Sequence, residues 1–465
     1  MACRYEIPPS LRDLDARSIL KSVFEAAVAR VILKHPTLQA GIRDVNSKRP
    51  VWIQLDVIDF SKHIEWHLLG DSVDYENSIQ GIIQSQLDIK FFDSESQPGW
   101  RVVVLLPENG NCLEVIFTWN HPHGDGISGK IFHQDLLLIL NAESLDGLQQ
   151  SLDDHILKLP DSSLQFPPAT EKLSKLPLSA SYFMRAAWKA KRPHLLKNYY
   201  SAHWAPIQTS PIKTQLRVIT VDNATLANIL TACRKHNSTL TSLLQALTLV
   251  SLASNLTEDK AQAFESITAI DLRRFLPSDH KEFPWLRPER TIANYVTVLP
   301  HDFGNPLLTQ IRSQTKVNTS ESALSTDLVN LIWSISSTVR EEIKSKLDNG
   351  LKDDLVGLMK FISDWREEVT NETRKPRKYS WFVTNLGVLD GNQATKEGDA
   401  WSICRAQFSL SAEVPAAAIQ ISPMTVAGGL LCVACSWQDC VVEESLGERL
   451  LADLERWLHQ LGTPV

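Results

Sequence analysis

Apolar residues recur at helical spacing between Arg17 and Leu33, where Ile19, Leu20, Val23, Phe24, Ala27, Val28, Val31 and Ile32 share one face. Val51, Ile53, Leu55 and Val57 then alternate with Trp52, Gln54 and Asp56, the period of a half-buried strand. A β-branched run, Arg101 to Leu106, meets the turn-rich Pro107-Glu108-Asn109-Gly110-Asn111, and Cys112 to Trp119 returns rich in Val, Ile, Phe and Trp. That order predicts a hairpin. A mostly buried helix through Ile131, Phe132, Asp135, Leu136 and Leu138 to Leu140 is predicted next, with Ser128 as its cap. From Leu159 to Gln215 the pattern loosens under seven prolines (160, 167, 168, 177, 193, 206 and 211), with one short helix near Ser181 to Lys191. A strand from Leu216, a helix and the apolar helix Leu240 to Leu252 begin a second α/β unit, and an amphipathic helix through Leu450, Leu451, Leu454, Trp457, Leu458 and Leu461 follows, expected to dock on the core. The implied division is an N-terminal domain over 1–158, a crossover over 159–212 and a C-terminal domain over 213–465.

Composition narrows the class. With 465 residues, 43% apolar and 22% charged, the chain has ordinary globular usage, and its net charge of −7 argues against nucleic acid as a partner. Seven scattered cysteines fit a reducing compartment, and Cys432-Val-Ala-Cys435 lies in an apolar strand pattern that predicts two buried thiols rather than a zinc ribbon. The N-terminal residues show no apolar signal region, and no stretch is apolar enough for a membrane span. A cytoplasmic monomer acting on small molecules is expected.

The chemistry concentrates in Asn120-His121-Pro122-His123-Gly124-Asp125-Gly126, between the predicted strand and helix. Pro122 keeps His121 extended, and the glycines flanking Asp125 permit a tight turn. Two readings compete. His121 is a general base and Asp125 a structural carboxylate pairing with a distant arginine. Alternatively, His121, His123 and Asp125 are zinc ligands of a metal-dependent hydrolase, a pattern incomplete here because Gly126 stands where metallo-β-lactamase-like enzymes carry a further His; more ligands would have to come from His155, His194 or His203.

His121-x-x-x-Asp125-Gly126 resembles the HxxxDG signature of the large acyltransferase superfamily with the chloramphenicol acetyltransferase-like fold. Other segments fall in that family's order: His35-Pro36-x-Leu38 after a helix, Asp271-Leu272-Arg273-Arg274-Phe275-Leu276-Pro277 as its Arg-bearing strand, Asn294-Tyr295-Val296 as its "GNxV"-type strand with Ala293 in place of Gly, and Thr384-Asn385-Leu386-Gly387 as its "SNLG" turn. The aromatic DFGWG loop of the plant branch is absent, and Met1 to Tyr5 would fall where the family's first strand ends. The nearest likeness is to fungal-type alcohol acetyltransferases and condensation-like proteins.

That resemblance implies an α/β fold of two domains, each a mixed sheet flanked by helices, with an active-site tunnel between them. It implies an acyl, acetyl or short-chain, transfer from acyl-CoA to a hydroxyl of a small-molecule or secondary-metabolite acceptor. No cofactor would be permanently bound, and a carrier-protein-tethered donor is the alternative. A member that keeps the fold for binding or cyclisation is a third reading. His121 is then the base, Asn385 an oxyanion donor or a plain turn residue, and Arg273 (or Arg274, on the opposite face of an extended segment) the partner of Asp125, with Gly126 and Gly387 as support. Arg374, Lys375, Arg377 and Lys378 read either as a solvated charge run or as a basic loop for CoA phosphates.

Overall fold

In the computed structural model the described residues are 1–12, 14–70, 74–108, 110–142, 152, 154–161, 164–191, 202–315, 323–392 and 398–463. The predicted hairpin forms as the strands Trp100–Pro107 and Cys112–Trp119, with Trp100 paired to Trp119. These strands lie in a five-stranded sheet ordered Ser402–Gln407, Ala2–Glu6, Cys112–Trp119, Trp100–Pro107, Ile64–Leu69. All neighbours are antiparallel except the last pair. Ala2–Glu6 is therefore an interior strand of this sheet. The strand Ser402–Gln407 reaches this sheet from the far end of the sequence.

Alternation along the hairpin explains why both sheet faces are covered. Val102, Val104, Val115 and Phe117 face the helices Leu14–Lys34 and Gly126–Ala142, packing with Phe24, Val28, Phe132 and Leu136. Val103, Leu105 and Ile116 point the other way, against Ile79 and Ile83 of the helix Tyr75–Asp88 and against Leu216 and Ala434 of the second half. The half-buried strand expected over 51–57 is instead two short ones, Val51–Gln54 and Val57–Asp59, because Val51 and Val57 are exposed and only Leu55 is buried.

The second sheet runs Val296–Phe303, Phe264–Asp271, Trp381–Val383, Ile419–Val426, Leu431–Gln438, Thr214–Val221, with Gly387–Leu389 also paired to Ile419–Val426. Its core forms around the helix Leu240–Asn255, buried continuously from Ser242 to Ala253 and started by a capping box of Thr239 and Ser242. The final helix, Glu444–Leu461, docks there through Leu450, Leu454, Trp457 and Leu458, as expected. Cys432 and Cys435 are buried, and burial pushes the Cys435 thiol up to about 12. Among the described residues no helix is long and apolar enough to cross a membrane.

Candidate active site

His121 opens a short 3-10 turn, His121–His123, directly after the strand Cys112–Trp119. The Gly124 carbonyl accepts from Trp119 Nε1 (2.9 Å) and lies 3.1 Å from His121 Nδ1. The Gly124 carbonyl, which only accepts, lies nearer to Nδ1 (3.1 Å) than the Asn294 amide nitrogen, which only donates (3.3 Å), and so favours the neutral ring with its proton on Nδ1 and the lone pair on Nε2. Asn294 Nδ2 donates to the His121 carbonyl at 3.0 Å and fixes the backbone beneath the ring. His121 is exposed and lines a cavity of about 510 Å³, walled by Trp119, the end of the helix Tyr75–Asp88, and the segment 408–413. A larger recess, about 770 Å³ between 390–404 and 426–429, lies elsewhere and contains no histidine.

Both carboxylate oxygens of Asp125 are engaged within the protein. It caps the helix Gly126–Ala142: its Oδ1 accepts from the Ser128 N–H (3.0 Å), while Ser128 Oγ accepts from the Asp125 N–H (3.2 Å). Ser128, expected as the cap itself, is the reciprocal partner. Arg273 grips the same carboxylate through both fork nitrogens, Nη1 to Oδ2 at 2.6 Å and Nη2 to Oδ1 at 3.0 Å, and the Tyr295 N–H adds 2.9 Å to Oδ2. Burial opposes the Arg273 charge, but the carboxylates of Asp125 and Asp271 outweigh it and raise its pKa further. Remaining donors of Arg273 reach the carbonyls of Ala293 (2.8 Å) and Thr291 (3.2 Å). Arg274 is exposed. Both arginines sit on a 3-10 turn, Arg273–Phe275, after the strand Phe264–Asp271 has ended, so the expected Arg-bearing strand is a turn.

The Thr384–Gly387 turn is clamped to this assembly. Gly387 has φ +68°, and its N–H donates to Asn385 Oδ1 at 2.8 Å. Asn385 Nδ2 donates to Thr241 Oγ1 at 2.9 Å, and the residue is not among those lining the cavity around His121. Its neighbour Leu386 packs on Gly126, and Lys130 donates to the carbonyls of Leu386 (3.0 Å) and Val388 (2.8 Å). Burial pushes the Lys130 amine down, opposed by Asp271.

The zinc reading loses its geometry. His123 is buried and does not line the cavity around His121; its Nε2 lies 3.2 Å from both the Gly99 N–H and the Ala40 carbonyl, and burial pushes it down to about 4. Both oxygens of Asp125 are committed to Arg273 and backbone donors. His155 pairs with Glu25 at 2.8 Å, and His194 lies outside the described residues. No three His, Cys, Asp or Glu among the described residues stand ready to hold a metal.

The basic run also differs from expectation. Arg377 is not solvated: it is 1% exposed and donates to the carbonyls of Ala205 (2.9 Å) and Ala416 (2.7 Å). Burial pulls it down to about 10. Lys375 pairs with Glu372, Lys378 lies beside Tyr379 and 3.8 Å from Glu265, and Arg374 lines a separate recess with Asp364 and Arg366. The structure thus joins His121, Asp125, Gly126 and Arg273 and abuts them with Leu386, while none of residues 374–378 lines the cavity around His121. Sequence reading missed the Asn294 and Trp119 contacts, for which no local signal exists.

A profile of the alcohol acetyltransferase family matches residues 56–452. The chain belongs to this family. It is 27% identical over 455 residues to the probable alcohol acetyltransferase FCK4 of Fusarium pseudograminearum, covering 96% of this chain and 87% of that protein. With the probable alcohol acetyltransferase crmB of Aspergillus fumigatus it shares 24% over 447 residues, 93% of this chain and 88% of the other. Among solved structures, the trichothecene 15-O-acetyltransferase TRI3 of Fusarium sporotrichioides superposes with TM-score 0.71 at 16% identity, over 99% of this chain and 90% of that one. The first condensation domain of the CDA synthetase gives TM-score 0.58 at 14% identity, over 99% and 89%. The alcohol acetyltransferase assignment makes the chain an acyltransferase, with the two-domain chloramphenicol acetyltransferase-like fold.

Proposed function

We propose that this alcohol acetyltransferase moves an acetyl or short acyl group from acyl-CoA to a hydroxyl of a small secondary-metabolite acceptor, with His121 as general base. The observation that carries this reading is the ring geometry: with Nδ1 tied to the Gly124 carbonyl, Nε2 is the basic atom at a cavity of about 510 Å³. As the acceptor oxygen attacks the thioester carbonyl, Nε2 takes its proton. Collapse of the tetrahedral intermediate breaks the carbon–sulfur bond, and the proton passes from His121 to the departing thiolate. A base of this kind typically contributes about a hundred- to ten-thousandfold. Asn385, whose amide is engaged by Thr241 and the Gly387 N–H and which does not line this cavity, stands in this reading as a turn residue. The family membership and the names of FCK4, crmB and TRI3 support an acetyl donor and a hydroxyl acceptor. Calorimetric titration with acetyl-CoA and with free CoA tests the donor: saturable micromolar binding supports it, and absence of binding moves the reading to a carrier-tethered donor.

A further inference from the structure

Three separate sequence motifs tie the backbone between Thr291 and Tyr295. The Ala293 carbonyl accepts from Arg273 Nη2 (2.8 Å), and the Ala293 N–H donates to Ser128 Oγ (3.2 Å). The Tyr295 N–H donates to Asp125 Oδ2 (2.9 Å), and its hydroxyl donates to the Pro168 carbonyl (2.8 Å). Thr37, within His35-Pro36-x-Leu38, donates through Oγ1 to the Ile292 carbonyl at 3.1 Å. Ile292, Ala293 and Tyr295 are buried. Asn294 in their midst is exposed, and its side chain reaches across to the turn that carries His121.

There the amide meets His121 at two atoms. Nδ2 donates to the His121 carbonyl at 3.0 Å, beside the Gly124 N–H that donates to the same oxygen at 3.2 Å. The same amide nitrogen lies 3.3 Å from Nδ1 of the ring. Gly124 holds His121 from within the turn, whereas Asn294 holds it from the other half of the chain. Among the described residues neither Asp125 nor Arg273 hydrogen-bonds His121, yet each bonds a direct neighbour of Asn294.

We propose that Asn294 is a positioning residue for His121 and that the Asp125–Arg273 pair acts on the base through it. This rests on the general-base reading above. The pair fixes the backbone of Ala293 and Tyr295, and that backbone aims the Asn294 amide. The amide holds the His121 carbonyl, so that Nδ1 stays on the Gly124 carbonyl and Nε2 stays at the cavity. Asn294 moves no proton and touches no substrate. Without it the turn keeps only its internal bonds, and a small misplacement of a reacting group is costly in rate.

Two readouts on the full chain test this. Diethyl pyrocarbonate acylates the neutral imidazole only, so the carbethoxylation rate of the His121 peptide against pH, followed by mass spectrometry, reports where the ring gains its proton. Asn294→Asp puts a carboxylate where the amide nitrogen lies 3.3 Å from Nδ1, and should move that midpoint about one unit toward higher pH. The charged groups that line the cavity with His121, namely Asp88, Lys90, Asp125 and Glu413, are the same in both proteins, so the shift reads position 294. Because Asn294 is exposed, its variants are expected to fold. A midpoint unmoved in folded Asn294→Asp overturns the proposal.

The second readout is thiol release from acetyl-CoA with alcohol acceptors. Asn294→Ala should lower turnover about ten- to a hundredfold with acetyl-CoA affinity unchanged, and Asp125→Asn should add little to that loss in the double variant. Losses that multiply in full overturn the relay through Asn294. Thr37→Val, which frees only the Ile292 carbonyl, gives the same comparison where Asp125→Asn does not fold. If His121→Ala is inactive while both Asn294 variants behave as wild type, this inference alone fails. If His121→Ala is active, the general-base reading fails with it.

Discussion

A methyl group on Gly126 would stand 2.7 Å from Leu386 Cδ2 and 3.3 Å from Phe408 Cζ. The first residue of the motif helix meets the Thr384–Gly387 turn so closely that only glycine fits without movement of Leu386. Gly126→Ala is expected to destabilise the protein by about 1–3 kcal/mol through overpacking, and Leu386→Ala to relieve that penalty in the double variant. Urea denaturation of the four proteins measures the coupling. Strict additivity would separate the two residues energetically and contradict the contact.

Arg273 and Asp125 lie 148 positions apart and are 5% and 3% exposed. Removing one partner leaves a buried charge, so Arg273→Ala and Asp125→Ala should each cost about 3–5 kcal/mol. Arg273→Lys should recover little, because an ammonium cannot reproduce the fork that grips both oxygens. Thermal or urea unfolding checks this; a stability close to wild type for Arg273→Ala would mean the pair does not hold the motif.

Arg377 gives a contrasting outcome. Its contacts are backbone carbonyls, so Arg377→Met should lower stability and leave the affinity for acetyl-CoA, measured by calorimetry, unchanged. Weakened acetyl-CoA binding with full stability would return the basic run to a phosphate-binding role.

Stability should also fall with acid. The buried His123 ring takes a proton only near pH 4, whereas an unfolded histidine does so near 6.5, so the unfolded state binds the proton first as pH drops. The loss begins at about 6.5, continues to about 4, and reaches roughly 3 kcal/mol for this residue alone. His133, pushed by burial to about 3, adds to the same trend. Unfolding free energies at pH 7 and pH 5 test it, and a flat profile over that interval would be inconsistent with two buried neutral rings.

Local signals made part of this legible. The hairpin Trp100–Pro107 and Cys112–Trp119, its loop and the helix after it follow from period-two and period-3.6 patterns joined by turn residues, and the pattern that predicts the elements also places His121 at their junction. The Asp125–Arg273 pair came from order along a resembling family, since nothing local links residues so distant. Three features left no local trace. The strand Ser402–Gln407 pairs with Ala2–Glu6, and a six-residue strand does not encode which sheet edge it joins. Arg377 sits in a run that reads as solvated, and only tertiary packing supplies the carbonyls that bury it. The Asn294 clamp on His121 is a loop contact that follows no periodicity.

The central claim is that His121 is the base of acyl transfer. Thiol release from acetyl-CoA in the presence of alcohol acceptors, compared for wild type and His121→Ala, tests it directly, with calorimetry confirming that the variant still binds acetyl-CoA. The account predicts a loss of about a hundred- to ten-thousandfold in turnover with donor binding retained. Turnover within a few fold of wild type in the folded variant would contradict it.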